Sequence, residues 1–350
     1  MENVRNIFDN FIVNLQLVID QLKDGETERV DTGQFNHVAY WERLDKVVKA
    51  LSGECTKFCM AYSKPPLPSN QDCESLITRV QNAILALVSA YYALPKTQGI
   101  TVRKRTKEFV YGIVVAVKEL IDTIRNEGPD GSQKQLQSTG AVWEKCEEFH
   151  ALAKTNQQAV QEVVQDTIGL VKDALEELEE AMQEETEGRW GDMDDLLEAE
   201  GQMAPDNEDT WTDADKTLLA PCLGLVKASK LTLNKINVAV KTNGDCSTEL
   251  NISQFDDLVD ITKTISPNVD DFVSVLYAPM QHLTVRLNAE KLAVTIKNLL
   301  ELSRHMHINK EDDQHWVEFL QTAAAHNLEK IQGLTDSEDI VSHTDTNITL

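Results

Sequence analysis

The residues of this chain best suited to chemistry are three histidines, His305, His307 and His315, six cysteines, and a stretch from Glu176 to Asp215 crowded with carboxylates. A zinc site needs ligands that converge. His305 and His307 are two apart and fall on different faces of a helix, and no cysteine or carboxylate joins them at metal-ligand spacing. The cysteines, Cys55, Cys59, Cys73, Cys146, Cys222 and Cys246, form no C-x-x-C pair. Cys55 and Cys59 share a helix face at i and i+4, as small buried apolar residues also do, and the set reads as reduced thiols. There is no G-x-S-x-G and no Walker-type glycine loop. General acid work needs a desolvated carboxyl, which a wet acidic run does not supply. The expectation is a protein with no catalytic residues, no metal and no cofactor.

The acidic stretch itself is informative. From Glu176 to Asp215 there are seventeen Asp and Glu against the single Arg189, so −16 of the formal −25 lies there. Such a block repels itself and buries no apolar surface, so it reads as a solvated hinge or an interaction segment. Within it Trp190, Met193, Leu196 and Leu197 recur at helical spacing among Asp192, Asp194, Asp195 and Glu198. Acidic peptides of this kind fold on a partner's groove, which makes these four the partner-binding candidates; the plainer reading has them docked on their own bundle or solvated. The one basic cluster, Arg103, Lys104, Arg105 and Lys107, reads as a nuclear import signal or as a solvated helix face. A chain of charge −25 repels phosphate, so no direct nucleic-acid binding is expected.

The elements that must position these residues are helices. The chain has 350 residues, 41% hydrophobic, with only 15 Gly and 9 Pro, a composition that suits a helix-rich protein of two domains. No run approaches the ~20 apolar residues that cross a bilayer, and the first segment is broken by Asn10, Asn14 and Asp20, so neither membrane insertion nor a signal peptide is expected.

Val4, Ile7, Phe8, Phe11, Leu15, Val18 and Leu22 lay an apolar stripe along a first helix. A second runs from about Asn36 to Tyr62 and stops at the prolines Pro65, Pro66 and Pro68. Ser69 caps a third that closes at Leu94 and Pro95, and Thr101 caps a fourth that ends near Glu127. Val142 to Glu185 reads as one interrupted helix or two consecutive ones. Thr212 with Asp215 three residues on resembles a capping box, opening a helix through Lys241 that Pro221 should kink or restart. Further patterns follow at Ile252–Ile265, Val269–Tyr277 and Met280–His305, and from about Glu311 to Leu334, with Pro267 marking a helix start. The predicted fold is all-α: two antiparallel helical bundles joined by an acidic flexible linker. Residues 1–186 form the first bundle of about five helices, 187–210 the linker, 211–334 the second bundle and 335–350 a disordered tail.

Four blocks resemble the cyclin-D-binding protein family, also described as the Grap- and cyclin-D-interacting or Maid-like family. They are YYALPKTQGITVRK from Tyr91 to Lys104, LAPCLGLVKASK from Leu219 to Lys230, DDLVDITKTISPNVDD from Asp256 to Asp271, and YAPMQHLTVRLNAEKL from Tyr277 to Leu292. The resemblance implies a non-enzymatic helical adaptor of cytoplasm and nucleus that binds D-type cyclins. It also implies restraint of cyclin-D-dependent kinase action on the retinoblastoma protein, and of the transcription that follows. Further implied partners are a Grap-type adaptor and helix-loop-helix transcription factors, although the proline-broken pattern contains no clear helix-loop-helix signature. The loose cyclin-groove pattern, basic-x-Leu-apolar, is matched by Lys118 to Ile121 and Lys297 to Leu300, whose leucines the helical register points to the core. Leu283, Val285 and Leu287 of the last block likewise read as bundle core. Two other readings compete: a vinculin-like or talin-like scaffold in cytoskeleton or trafficking, and a transcriptional cofactor using Trp190 to Leu197 as an acidic activation-like peptide.

Overall fold

In the computed structural model the backbone is described for residues 2–23, 35–127, 133–196, 210–310 and 314–345, and side chains for 4–23, 35–126, 133–185, 210–310 and 315–336. Among these residues there are ten α-helices, two short 3-10 turns and no strand, so the fold is all-α as expected. The chain divides into two compact units, Met1–Ala159 and Val160–Leu350. The sequence places the break in the acidic run after residue 186. In the structure the long helix that carries the beginning of that run sends Val160, Val164, Val171, Leu175 and Leu178 into the second core.

The first unit holds α1 (Glu2–Lys23), α2 (His37–Ala61), α3 (Asn70–Tyr92), α4 (Ile100–Glu127), α5 (Gln133–Glu147) and the opening turn of α6 (Asn156–Leu196). Its helices follow the apolar periodicity. Phe8, Phe11, Leu15, Ile19 and Leu22 of α1 are buried against α3 and α4, while Val13 and Leu17 on the opposite side face solvent. Where α1 meets the end of α2, the rings of Phe8, Phe58 and Tyr62 meet edge-on or tilted, with centroids 5.0–5.9 Å apart. Ser69 caps α3 through a reciprocal box with Asp72. Antiparallel α2 and α5 are stitched by buried polar groups: the Gln135 amide donates to the Cys59 carbonyl at 3.0 Å and the Thr139 hydroxyl to Cys59 Sγ at 3.0 Å.

The start of α4 differs from expectation. Thr101 lies inside the first turn and is buried, and the chain enters the helix through Gly99, whose φ of +116° is open to glycine but strained for other residues. Asn156, at the start of α6, sits against this glycine and accepts the Val102 N–H at 3.0 Å.

The second unit contains the rest of α6 with α7 (Asp213–Asn243), α8 (Glu249–Ser274), α9 (His282–His305) and α10 (Gln314–Asp345). Two prolines that should break helices do not. Pro221 lies inside α7 and Pro267 inside α8, each buried or flanked by buried residues. Each removes one N–H from the helical ladder, but packing of Leu218, Leu219, Cys222 and Leu225 around the first, and Ile265, Val269 and Phe272 around the second, holds the helix straight through. The two predicted segments Ile252–Ile265 and Val269–Tyr277 are therefore one helix. Helix α7 packs along α10, where Gly224 lets Asn327 approach closer than any Cβ would permit. Helix α10 continues to Asp345, past Thr335, which is buried and donates to the Ile331 carbonyl at 2.9 Å.

The entry to α4 yields a stability prediction. A Cβ on residue 99 would fall 2.1–2.5 Å from Asn156 side-chain atoms. Gly99→Ala should cost about 1–3 kcal/mol from the backbone conformation alone, plus a clash that Asn156→Ala removes. Urea unfolding of both single variants and the double variant checks this: the glycine substitution should cost less in the Asn156→Ala background, and equal costs would disprove the clash.

Candidate functional site

Several cysteines and histidines among the described residues are put to structural use. Five of the six cysteines are buried, Cys246 is half-buried, and all are free thiols. Burial pushes the Cys146 thiol up to about 11 and the Cys222 thiol to about 12, and drives Cys55 up as well, with the neighbouring Cys146 adding to it. A thiol that ionises so far above neutrality is not a nucleophile. Among the described residues no group of three or more His, Cys, Asp or Glu side chains is placed to hold a metal ion. His305 and His315 are exposed, whereas His307 is half-buried with its ring edge-on to Phe255.

His307 makes a clip between two loops. Gln254 Oε1 accepts from both its backbone N–H (3.2 Å) and Nδ1 (2.8 Å), and its Nε2 accepts the Asp245 N–H at 3.3 Å. An imidazole that donates from one nitrogen and accepts at the other is neutral. Burial depresses its pKa, with the Asp245 carboxylate pulling the other way, which agrees with that tautomer.

The densest polar cluster lies where the chain leaves the acidic run. Trp211 is buried and donates its indole N–H to the Leu276 carbonyl at 2.7 Å. Thr212 then caps α7: its N–H and hydroxyl donate to Asp215 Oδ2 at 2.9 and 2.7 Å, and its hydroxyl accepts the Asp215 N–H at 3.1 Å. The other oxygen of Asp215 lies 2.6 Å from Nε2 of His282. One short segment thus ties the start of α7 to both sides of the α8–α9 connection. Burial works against the Asp215 carboxylate, but the hydrogen bonds from His282 and Thr212 outweigh it and hold its pKa below the usual value. Ion pairs Lys216–Glu185 (2.8 Å) and Lys227–Glu179 (2.7 Å) attach α6 alongside. The capping box is visible in the sequence. Trp211, immediately before the cap, carries the only local hint of an anchor, and His282, 67 positions from its partner Asp215, carries none.

The residues singled out from the sequence fall as follows. Trp190, Met193 and Leu196 lie on the backbone of α6 with side chains outside the described residues, and Leu197 lies outside them altogether. The basic cluster is split by the helix: Arg103 is only 7% exposed and stacks over the Tyr91 ring at 5.3 Å, Lys104 is exposed, Arg105 pairs with Glu108 at 3.8 Å, and Lys107 is half-exposed. Leu120, Ile121, Leu299 and Leu300 are buried, as their register predicts. The reading of Leu283, Val285 and Leu287 as core needs correction. Only Val285 is buried; Leu283 and Leu287 are 62% and 57% exposed, one turn apart on the side of α9 away from the inward row Val285, Ala289, Leu292 and Ile296. On a helix, residues i and i+4 share a face and i+2 points away from it, so Leu283 and Leu287 turn outward when Val285 turns in.

The Asp215 anchor yields a pH-dependent prediction. Asp215→Asn should lower stability by about 1–3 kcal/mol, the loss of charge-assisted hydrogen bonds in a buried setting. Because the folded pKa is depressed, this contribution is complete above the ordinary value of 3.8 and lost as the pH falls through the lower folded value. Urea denaturation of both proteins at graded pH should show the gap closing in acid; a gap that persists there would overturn the assignment.

Comparison with known proteins places the whole arrangement. Residues 43–184 match the family model described as "Grap2 and cyclin-D-interacting, N-terminal" and residues 203–301 its C-terminal counterpart. A Xenopus laevis protein named Cyclin-D1-binding protein 1 homolog is 42% identical over 339 residues, 96% of this chain and 99% of the relative. The Danio rerio homolog is 40% identical over 91% of this chain and 92% of its own length, and the human Cyclin-D1-binding protein 1 is 33% identical over 97% and 94%. The family is named for binding and not for a reaction. The two family segments are separated in the sequence by part of the acidic run, the blocks from Tyr91, Leu219, Asp256 and Tyr277 fall at the α3–α4 junction and on α7, α8 and α9, and the chain belongs to the Grap2 and cyclin-D-interacting family.

Proposed function

We propose that this chain is a non-enzymatic adaptor that binds D-type cyclins and restrains cyclin-D-dependent phosphorylation of the retinoblastoma protein, and so the transcription that follows. The observation that carries the reading is similarity over nearly the full length to proteins named for binding cyclin D1. The chemistry is compatible: helical surfaces, buried thiols of high pKa, and histidines engaged in packing. A Grap-type adaptor and helix-loop-helix transcription factors are proposed as further partners, to be checked by co-precipitation with each.

The proposed contact is the acidic segment, with Trp190, Met193, Leu196 and Leu197 as anchors spaced for one helix face. Purified full-length protein should retain cyclin D1 in a pull-down and lower phosphate incorporation into a retinoblastoma fragment. Replacing Trp190, Met193 and Leu197 together with Ala should weaken retention at least about tenfold, as loss of buried anchors does. Unchanged retention would remove the segment from the proposal, and absence of retention by the native chain would end the cyclin reading.

The proposal includes distribution between cytoplasm and nucleus. With Arg103 buried against Tyr91, the cations of the cluster open to an import receptor are Lys104 and Lys107. Lys104→Ala with Lys107→Ala should reduce the nuclear fraction of a fluorescent fusion without altering its melting temperature; an unchanged distribution would assign these lysines to the solvated helix face.

A further inference from the structure

The outward side of α7 departs from the rest of the chain in charge. Between Lys216 and Asn243 there are five lysines and no acidic residue, so a run of charge +5 sits in a protein whose remainder holds −30 of the net −25. Lys227, Leu231, Asn234, Lys235, Val238 and Lys241 succeed one another at steps that keep them on one face, and all six are exposed. Leu231 and Val238, two turns apart, are 50% and 60% exposed, while Leu225, Val226, Leu233, Ile236 and Val240 take the inward positions. Lys235 follows Leu231 by four residues and Lys241 follows Val238 by three, so the two cations flank the apolar line on opposite sides.

Several lysines elsewhere are neutralised by an acid one turn away. Lys49 pairs with Asp45, Lys118 with Asp122 and Lys145 with Glu148, all at i,i+3 or i,i+4. Beyond its first turn, which holds Asp213 and Asp215, helix α7 has no acid to do this. Lys216 and Lys227 reach Glu185 and Glu179 of α6. Among the described residues Lys230, Lys235 and Lys241 have no carboxylate within ion-pair distance. An acidic protein that leaves these cations unmatched around two exposed aliphatic side chains presents a surface complementary to an acidic, amphipathic helix.

We propose that this face of α7 docks an acidic amphipathic helix of a partner protein. The partner's apolar stripe lies on Leu231 and Val238, and its flanking carboxylates pair with Lys235 and Lys241. Nucleic acid would gain nothing from the aliphatic pair and would meet the repulsion of the remaining −30. The inference is independent of the cyclin proposal: loss of either leaves the other standing.

The test uses the full chain and a fluorescein-labelled synthetic helix carrying Leu at i, i+4 and i+7 with Glu at the flanking positions, followed by fluorescence anisotropy. Binding is expected, weakening as salt shortens the Debye length from about 10 Å toward about 3 Å. A peptide with Lys in place of Glu, and one with Ser in place of Leu, should each bind at least about tenfold more weakly, about 1.4 kcal/mol. Lys235→Glu with Lys241→Glu should lose about tenfold, and Leu231→Ser with Val238→Ser a similar factor, with unchanged helical circular dichroism and melting temperature. The peptide panel on the native chain decides even where a variant misfolds. No binding by the native chain, equal binding of all three peptides, or equal binding by folded variants would overturn the proposal. So would co-sedimentation with phosphatidylserine vesicles in place of peptide binding, which would assign the face to a membrane surface.

Discussion

The second half of this protein depends on keeping one buried carboxylate charged. Asp215 accepts from the Thr212 backbone, the Thr212 hydroxyl and His282, and each of those donors belongs to a segment with its own reason to be there. Thr212 begins α7, the helix that packs on α8, α9 and α10 and pairs through its lysines with α6. His282 begins α9, and Trp211 closes on the start of the α8–α9 connection. A buried charge is tolerated only when its hydrogen bonds are complete. The same completeness fixes how α7 enters the core and where α9 starts.

The first half solves a related problem with neutral groups. Its core is aliphatic and aromatic, and several of the polar groups that enter it are matched across helices. Gln135 and Thr139 of α5 reach the end of α2 at Cys59, and Asn156 fills the space that Gly99 leaves open while accepting the Val102 N–H in the first turn of α4. A helix end buried without such partners leaves orphan donors. Here a glycine and an asparagine separated by more than fifty residues supply the match together.

Several groups of the kind that enzymes employ serve packing here. Burial makes Cys146 and Cys222 hard to ionise, His307 is held as a neutral clip, and His282 is committed to Asp215. Helix α9 exposes Leu283 and Leu287, and α7 exposes Leu231 and Val238 among unmatched lysines. The contrast between a strongly acidic chain and the acid-free run 216–243 of α7 gives the surface electrostatic character that a uniform distribution would lack.

The sequence by itself determined that the chain is helical, where most helices lie, and that one stretch is densely acidic, because these follow from local periodicity, capping residues and composition. Ser69 as a cap and Thr212 with Asp215 are legible for that reason. It also carried the family likeness in the blocks at the α3–α4 junction and on α7, α8 and α9. Tertiary packing alone decided that α7 and α8 run through Pro221 and Pro267, since the loss of one ladder bond is small beside a buried apolar face. Packing alone also set which side of α9 faces out, brought His282 to Asp215, and joined most of α6 to the second core. Each of these is a contact between residues far apart in the chain, and no local pattern records which distant surface a helix will meet.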